Sequence, residues 1–108
     1  MKRVVSAYLD AFKAANIRPV QGHAATWDPA MILVDTLRKL GPSATAPQIR
    51  SAIAALHGWV GINGEYDFRK IPQRGVGMDA VFVARWDPEK GQMIGVSRAG
   101  GTLPGGRR

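Results

Sequence analysis

The sequence contains no cysteine, which excludes a disulfide framework, a thiolate nucleophile and a zinc ribbon. No apolar run approaches the roughly 18 residues that would read as a membrane span. Histidine is nearly absent: His23 and His57 fall in different elements with no spaced carboxylate beside either, short of the convergent ligands a metal site needs. Ser6, Ser43, Ser51 and Ser97 lack a nucleophile elbow or a base partner. Gly58, Gly61, Gly64, Gly75 and Gly77 do not form a phosphate-cradling G-x-G-x-x-G between strand and helix. No catalytic constellation is therefore expected, and no cofactor or metal.

Acidic residues are also scarce, 8 against 15 basic ones, for a net charge of +7 over 108 residues. A basic balance raises nucleic acid or an anionic membrane as partners. The distribution argues against both, because the surplus is spread over both halves and no more than two basic residues are ever adjacent. A binder of nucleic acid concentrates its charge on one face or stripe. The start, MKRVVSAYLDAFKAA, has a basic head, but Asp10 and Lys13 interrupt its apolar part, so it reads as a helix and not as an export signal.

What is present is amphipathic. From Arg3 to Ala15, Val5, Tyr8, Leu9 and Phe12 recur at helical spacing. Asn16 suits a left-handed cap, and Pro19 pushes Arg18 into extended backbone. The stretch Trp27 to Leu40, WDPAMILVDTLRKL, organises the rest. On a helical wheel Pro29, Ala30, Leu33, Val34, Leu37 and Leu40 fill one arc of about 140°, which is the expected core face. Asp28, Asp35, Thr36, Arg38 and Lys39 fill the other side, with Met31 and Ile32 at its edges. Asp28 and Pro29 fit an N-cap and first helical position, and a start near Ala24 is also open. Gly41 and Pro42 stop this helix. Thr45 and Gln48 form a capping box for a third helix, whose stripe is Ile49, Ala52, Ile53 and Leu56. That helix is expected to run through His57 to Gly58.

The period then changes from 3.6 to 2. Ile62, Gly64, Tyr66 and Phe68 alternate with Asn63, Glu65 and Asp67, as a strand wet on one side does. Glu65 and Asp67 share a face, and with Arg69 and Lys70 adjacent they read as a solvated, charge-balanced surface. After a loop over 69–77, residues 79–86 and 92–97 form a hairpin about the turn Asp87-Pro88-Glu89-Lys90-Gly91. Trp27, Trp59 and Trp86 are core or hinge residues, or aromatics at the mouth of a ligand cleft. His23, just ahead of Trp27, is either a packing residue or a ligand contact.

In this order the elements resemble the C-terminal end of type I periplasmic solute-binding proteins, the branched-chain amino acid ABC transporter group. The stretch Trp27 to Leu37 resembles that family's aromatic-Asp-Ala helix. The stretch Trp59 to Phe68, WVGINGEYDF, is similar to its aromatic-x-G-V-T-G-x-x-x-F segment. Gln73-Arg74-Gly75, followed by Ala80 to Trp86 and a turn, is similar to its closing hairpin. The resemblance implies an α/β fold: three amphipathic helices followed by a strand and a C-terminal β-hairpin, a C-terminal segment of the type I periplasmic binding protein fold. Residues 1–100 would form a single partial domain and 101–108 a flexible tail. It further implies a periplasmic, non-enzymatic part of a receptor for amino acids or related small carboxylates. The partners of such a receptor are its solute and the transporter's membrane subunits, with no nucleic acid and no cofactor. His23 and Trp27 are the candidate ligand contacts, since the approach to the organising helix supplies one in the family; Gly22 occupies the matching place here. The sheets on which such helices lean are not encoded in these residues, so self-association is expected of the segment, and tight solute binding is not. A small basic nucleic-acid-binding or oligomeric interaction module is the alternative.

Overall fold

The three expected helices form, and their ends follow local rules. The computed structural model describes residues 1–105. It is mixed α/β, with three helices and two small antiparallel sheets among those residues. Contacts divide the chain into two bodies, Met1–Gly75 and Val76–Arg108. No described helix is long and apolar enough to cross a membrane.

In the first body, α1 spans Lys2–Ala14 and buries Tyr8. Asn16 takes the left-handed conformation, φ 55°, and the chain turns into the extended approach to α2. That helix runs Gln21–Leu40. It begins two turns ahead of Asp28, which is therefore not its cap. The start is set instead by Val20, whose backbone N–H donates to Nδ1 of His23 at 3.0 Å. Pro29 lies inside the helix, where its missing N–H leaves the carbonyl of Ala25 without the usual partner.

The faces of α2 are inverted relative to the sequence pattern. Asp28 is 0 % exposed and Ile32 4 %, and Thr36 is also buried. Leu33 is 43 % exposed and Leu40 42 %, with Val34 and Leu37 similarly bare. The ridge at i, i+4 and i+8 thus turns inward although two of its three members are polar. Thr36 pays little for burial, because its hydroxyl donates to the Ile32 carbonyl at 2.7 Å. The arc expected to form the core is left partly exposed instead, with Pro29 and Leu40 at its ends lining grooves against the third helix.

Gly41, φ 87°, turns the chain toward α3, Ala46–Ala54. The capping box forms as expected, with Gln48 N–H donating to Thr45 Oγ1 and Thr45 N–H to Gln48 Oε1. The helix ends at Ala54, and His57 opens a strand instead of closing a helix. This β1, His57–Val60, pairs antiparallel with β2, Glu65–Asp67. A single strand was expected here; the glycine at 58 takes φ 67° within β1, where the register slips by a bulge between His57 and Trp59. Gly61 N–H donates to the Gly64 carbonyl at 2.9 Å, closing the tight loop between the strands. After β2, Asp67 Oδ1 accepts from the N–H groups of Arg69 and Lys70. Gly75 then returns against the sheet, its carbonyl accepting from Asp67 N–H at 2.7 Å. A Cβ at Gly75 would meet the rings of Tyr66 and Phe68.

In the second body a short 3₁₀ turn, Met78–Ala80, precedes β3, Ala84–Asp87, which pairs antiparallel with β4, Gln92–Gly95. The expected strand over 79–86 therefore forms only in its last part. Asp87 Oδ1 accepts from the N–H groups of Glu89 and Lys90, as the turn sequence requires. None of residues 76–105 is buried. A 3₁₀ turn over Ala99–Gly101, broken by Gly100 at φ 83°, leads into the expected tail at 101; residues 106–108 of that tail lie outside the described residues.

Candidate functional site

The most constrained point of the first body is the Asp28 carboxylate. Its Oδ1 accepts from Ile62 N–H at 2.9 Å, and its Oδ2 from Asn63 N–H at 2.9 Å, Asn63 Nδ2 at 2.9 Å and the Tyr66 hydroxyl at 3.0 Å. Asn63 Nδ2 also donates to the Ala24 carbonyl at 2.8 Å. One helical side chain thus holds both strands and the loop between them. Gly61 is required for this approach, because a Cβ there would land on the Asp28 carboxylate. Burial, and then the charge of Asp28 and the hydrogen bond to it, push the Tyr66 hydroxyl up to about 12 from an ordinary 10.0. Tyr66 is thereby kept as a donor. With four donors on two oxygens, Asp28 ties α2 to the β1–β2 hairpin.

Next to this tie, Trp59 Nε1 donates to Asp35 Oδ2 at 3.0 Å. Asp35 Oδ1 lies 3.4 Å from Arg38, an exposed pair that contributes little. Arg3, Val4, Ala7, Trp27, Met31, Asp35, Trp59 and Val60 line a cleft of about 290 Å³. It offers a cation, a carboxylate and two indole walls, at the lower limit of small-ligand pocket sizes. A second, more open groove of about 570 Å³ runs along α3 between Ile53 and Phe68; Arg50 is its one charged lining residue.

The two candidate contacts take different places. Trp27 is half-buried, edge-on to Tyr8 at 5.1 Å, and forms part of the cleft. His23 lies outside it. Its Nδ1 caps α2, and its ring packs on Phe12 at 4.9 Å. Phe12 joins the two, with its centroid 6.0 Å from that of Trp27. His57 Nδ1 lies 3.3 Å from the Ala55 carbonyl. Glu65 is exposed on β2. Slight burial raises the Asp67 carboxyl, but the N–H groups of Lys70 and Arg69 and their charges outweigh it, so it titrates below the ordinary carboxylate range. Among the described residues no three His, Cys, Asp or Glu side chains converge as metal ligands.

Sequence reasoning missed Asp28, Asn63 and Tyr66 as a unit. On the helical wheel Asp28 falls on the wet face, because the wheel equates polarity with exposure. The available signal was the tight loop G-I-N-G followed by Tyr66: such a loop needs an acceptor for its inward N–H groups, and the aspartate of the preceding long helix is one. No protein family, curated protein or solved structure matches the chain.

Proposed function

We propose that the chain is the C-terminal segment of a two-lobed periplasmic receptor of the type I solute-binding class, delivering amino acids or related small carboxylates to a membrane transporter. The observation that carries this reading is the inverted α2. Its inner side is committed to the β1–β2 loop through Asp28. Its outer side leaves Leu33, Val34, Leu37 and Leu40 bare. A helix dressed on one side by its own chain and apolar on the other is one that covers a sheet, as helices do in doubly wound folds. In solute class, the cleft with Arg3 and Asp35 between Trp27 and Trp59 suits a small zwitterion or carboxylate. Being at the small end of its kind and bounded by one lobe alone, it holds such a solute weakly.

The decisive test is the DNA upstream of Met1. The reading requires an open frame there, or a separately encoded chain, whose product alternates strands and helices in βα units. A gene that begins at Met1, with no such companion, sinks it. A thermal-shift screen of amino and aromatic acids completes the test. Shifts of a degree or less are expected, and a shift of many degrees at micromolar solute would overturn the claim that the segment binds weakly alone.

A further inference from the structure

The β3–β4 hairpin has an open edge, and its charges select one way of filling it. The Val96 N–H donates to the Val83 carbonyl at 2.9 Å, while the Val83 N–H donates to Ser97 Oγ at 2.7 Å, so Val83 and Val96 occupy a hydrogen-bonded position of which one bond forms. The register continues without a slip through Ala84↔Gly95, Arg85↔Ile94, Trp86↔Met93 and Asp87↔Gln92. Hydrogen-bonded and non-bonded pairs alternate along an antiparallel ladder. Arg85 and Asp87 therefore direct their backbone groups toward β4, and Ala84 and Trp86 direct theirs away from it, to the outer edge of β3. Those edge residues are exposed. On the side chains, Trp86 at 54 % exposure and Met93 at 64 % share one face of the hairpin. Arg85 and Asp87 share the other. A two-stranded hairpin with no buried residue is marginal in water and gains stability from a third or fourth strand.

We infer that β3 pairs with β3 of a second copy of this chain, antiparallel, about a two-fold axis through Trp86. Symmetric registers about Ala84, Arg85 or Trp86 bring outward-facing groups of the two strands together, the axis at Trp86 setting Ala84 against Pro88, which accepts but cannot donate. The axis at Arg85 sets two guanidinium groups directly against each other, which is destabilising. The axis at Ala84 sets Arg85 against Val83. Only the axis at Trp86 sets Arg85 against Asp87 of the second copy, and by symmetry does so twice. It also makes the two Trp86 residues a hydrogen-bonded pair, with their indoles side by side on the opposite face. Asp87 is free to serve in this way, because the turn uses only its Oδ1 and leaves Oδ2 for the guanidinium. The product is one four-stranded sheet in the order β4-β3-β3-β4, of the isologous kind that closes as a dimer. The self-pairing meets no bulk repulsion, since residues 76–108 carry 5 basic against 3 acidic side chains.

The inference does not depend on the receptor reading, and its test separates the two. Sedimentation equilibrium of the full chain is run on the wild type and on the L33K/L37K variant, which removes association through the bare face of α2. Both should show a monomer–dimer equilibrium. Arg85→Asp should weaken the dimer about tenfold or more, from two reversed cross-strand pairs, with unchanged circular dichroism. Asp87→Asn, which keeps the Oδ1 acceptor of the turn and removes only the charge, should weaken the dimer several-fold, and Arg85→Lys should leave it nearly unchanged. Dimer that vanishes in L33K/L37K, a wild type monomeric at millimolar concentration, or an association constant unmoved by R85D would each overturn the proposal.

Discussion

The two hairpins use the same local device and reach different ends. In each, an aspartate at the close of a strand accepts through Oδ1 from the N–H groups two and three residues on: Asp67 from Arg69 and Lys70, Asp87 from Glu89 and Lys90. Each hairpin carries aromatic residues and pairs antiparallel. Yet β1–β2 buries Tyr66 and seals Gly61, Gly64 and Gly75, while no residue of 76–105 is buried. The difference is Asp28. The first hairpin is held from outside, by a helix that satisfies its inward N–H groups; the second has only its own turn and ladder. Turn chemistry thus sets where a hairpin bends, and an external acceptor decides whether it acquires an interior.

The strongest way to break this contrast is Asp28→Ala. It strips the acceptor from four donors, the buried Tyr66 hydroxyl and three part-buried N–H groups, and a buried donor left unpaired costs about 1–3 kcal/mol. A loss of at least ~3 kcal/mol in the first body is expected, a drop in Tm of more than about 12 °C. The Ile62 and Asn63 amides should then exchange hydrogen as fast as those of β4. Exchange that stays slow would show that the loop holds itself.

A smaller effect is expected of Tyr66→Phe, which removes one donor and should cost about 1 kcal/mol. Its signature lies in pH. The folded-state hydroxyl sits at about 12 against 10.0 for the unfolded chain. A group raised in the folded state contributes stability that is whole below pH 10 and is lost as pH rises toward 12. Denaturant melts of the wild type should weaken across that window, and the difference between wild type and Y66F should shrink through it. Parallel pH profiles for the two proteins would contradict the tie to Asp28.

The least effect comes from the matched pair Asp67→Ala and Asp87→Ala. Loss of an Asx cap costs about 1 kcal/mol where the turn belongs to a packed body. Asp67→Ala should therefore lower the main thermal transition by a few degrees. Asp87→Ala should leave that transition in place and raise exchange only at Glu89 and Lys90. Equal effects on the main transition would erase the contrast.

Much of the local architecture was legible in the sequence because short-range rules act alone there. The Thr45–Gln48 capping box, the left-handed Asn16 and the Asp87 turn all form as their residues dictate. The helices were found for the same reason, through the spacing of Val5, Tyr8 and Phe12 or of Ile49 and Ile53. The inner face of α2 was not found. A wheel weighs apolar content, and by that measure Leu33, Leu37 and Leu40 outbid Asp28 and Thr36. Polar residues turn inward only where a distant segment supplies donors, and Ile62, Asn63 and Tyr66 lie more than 30 residues away. β1 was missed because His57 follows an alanine-rich helix with no break before it, and Gly58 read as a helix stop when its positive φ serves a bulge. Of the two candidate contacts, nothing in the sequence distinguished Trp27, which reaches the cleft, from His23, whose ring nitrogen is taken by its own helix.

The sequence distance spanned by the Asp28 tie has a kinetic consequence. Its bonds link residues 34 to 38 positions apart, so the chain entropy of closing that loop is lost before any of them forms. Helix α2 must be in place first, since only a formed turn presents the carboxylate at the right height, and the G-I-N-G loop docks onto it late. Changes at Asp28 should accordingly act on the rate at which the native state opens far more than on the rate at which it assembles.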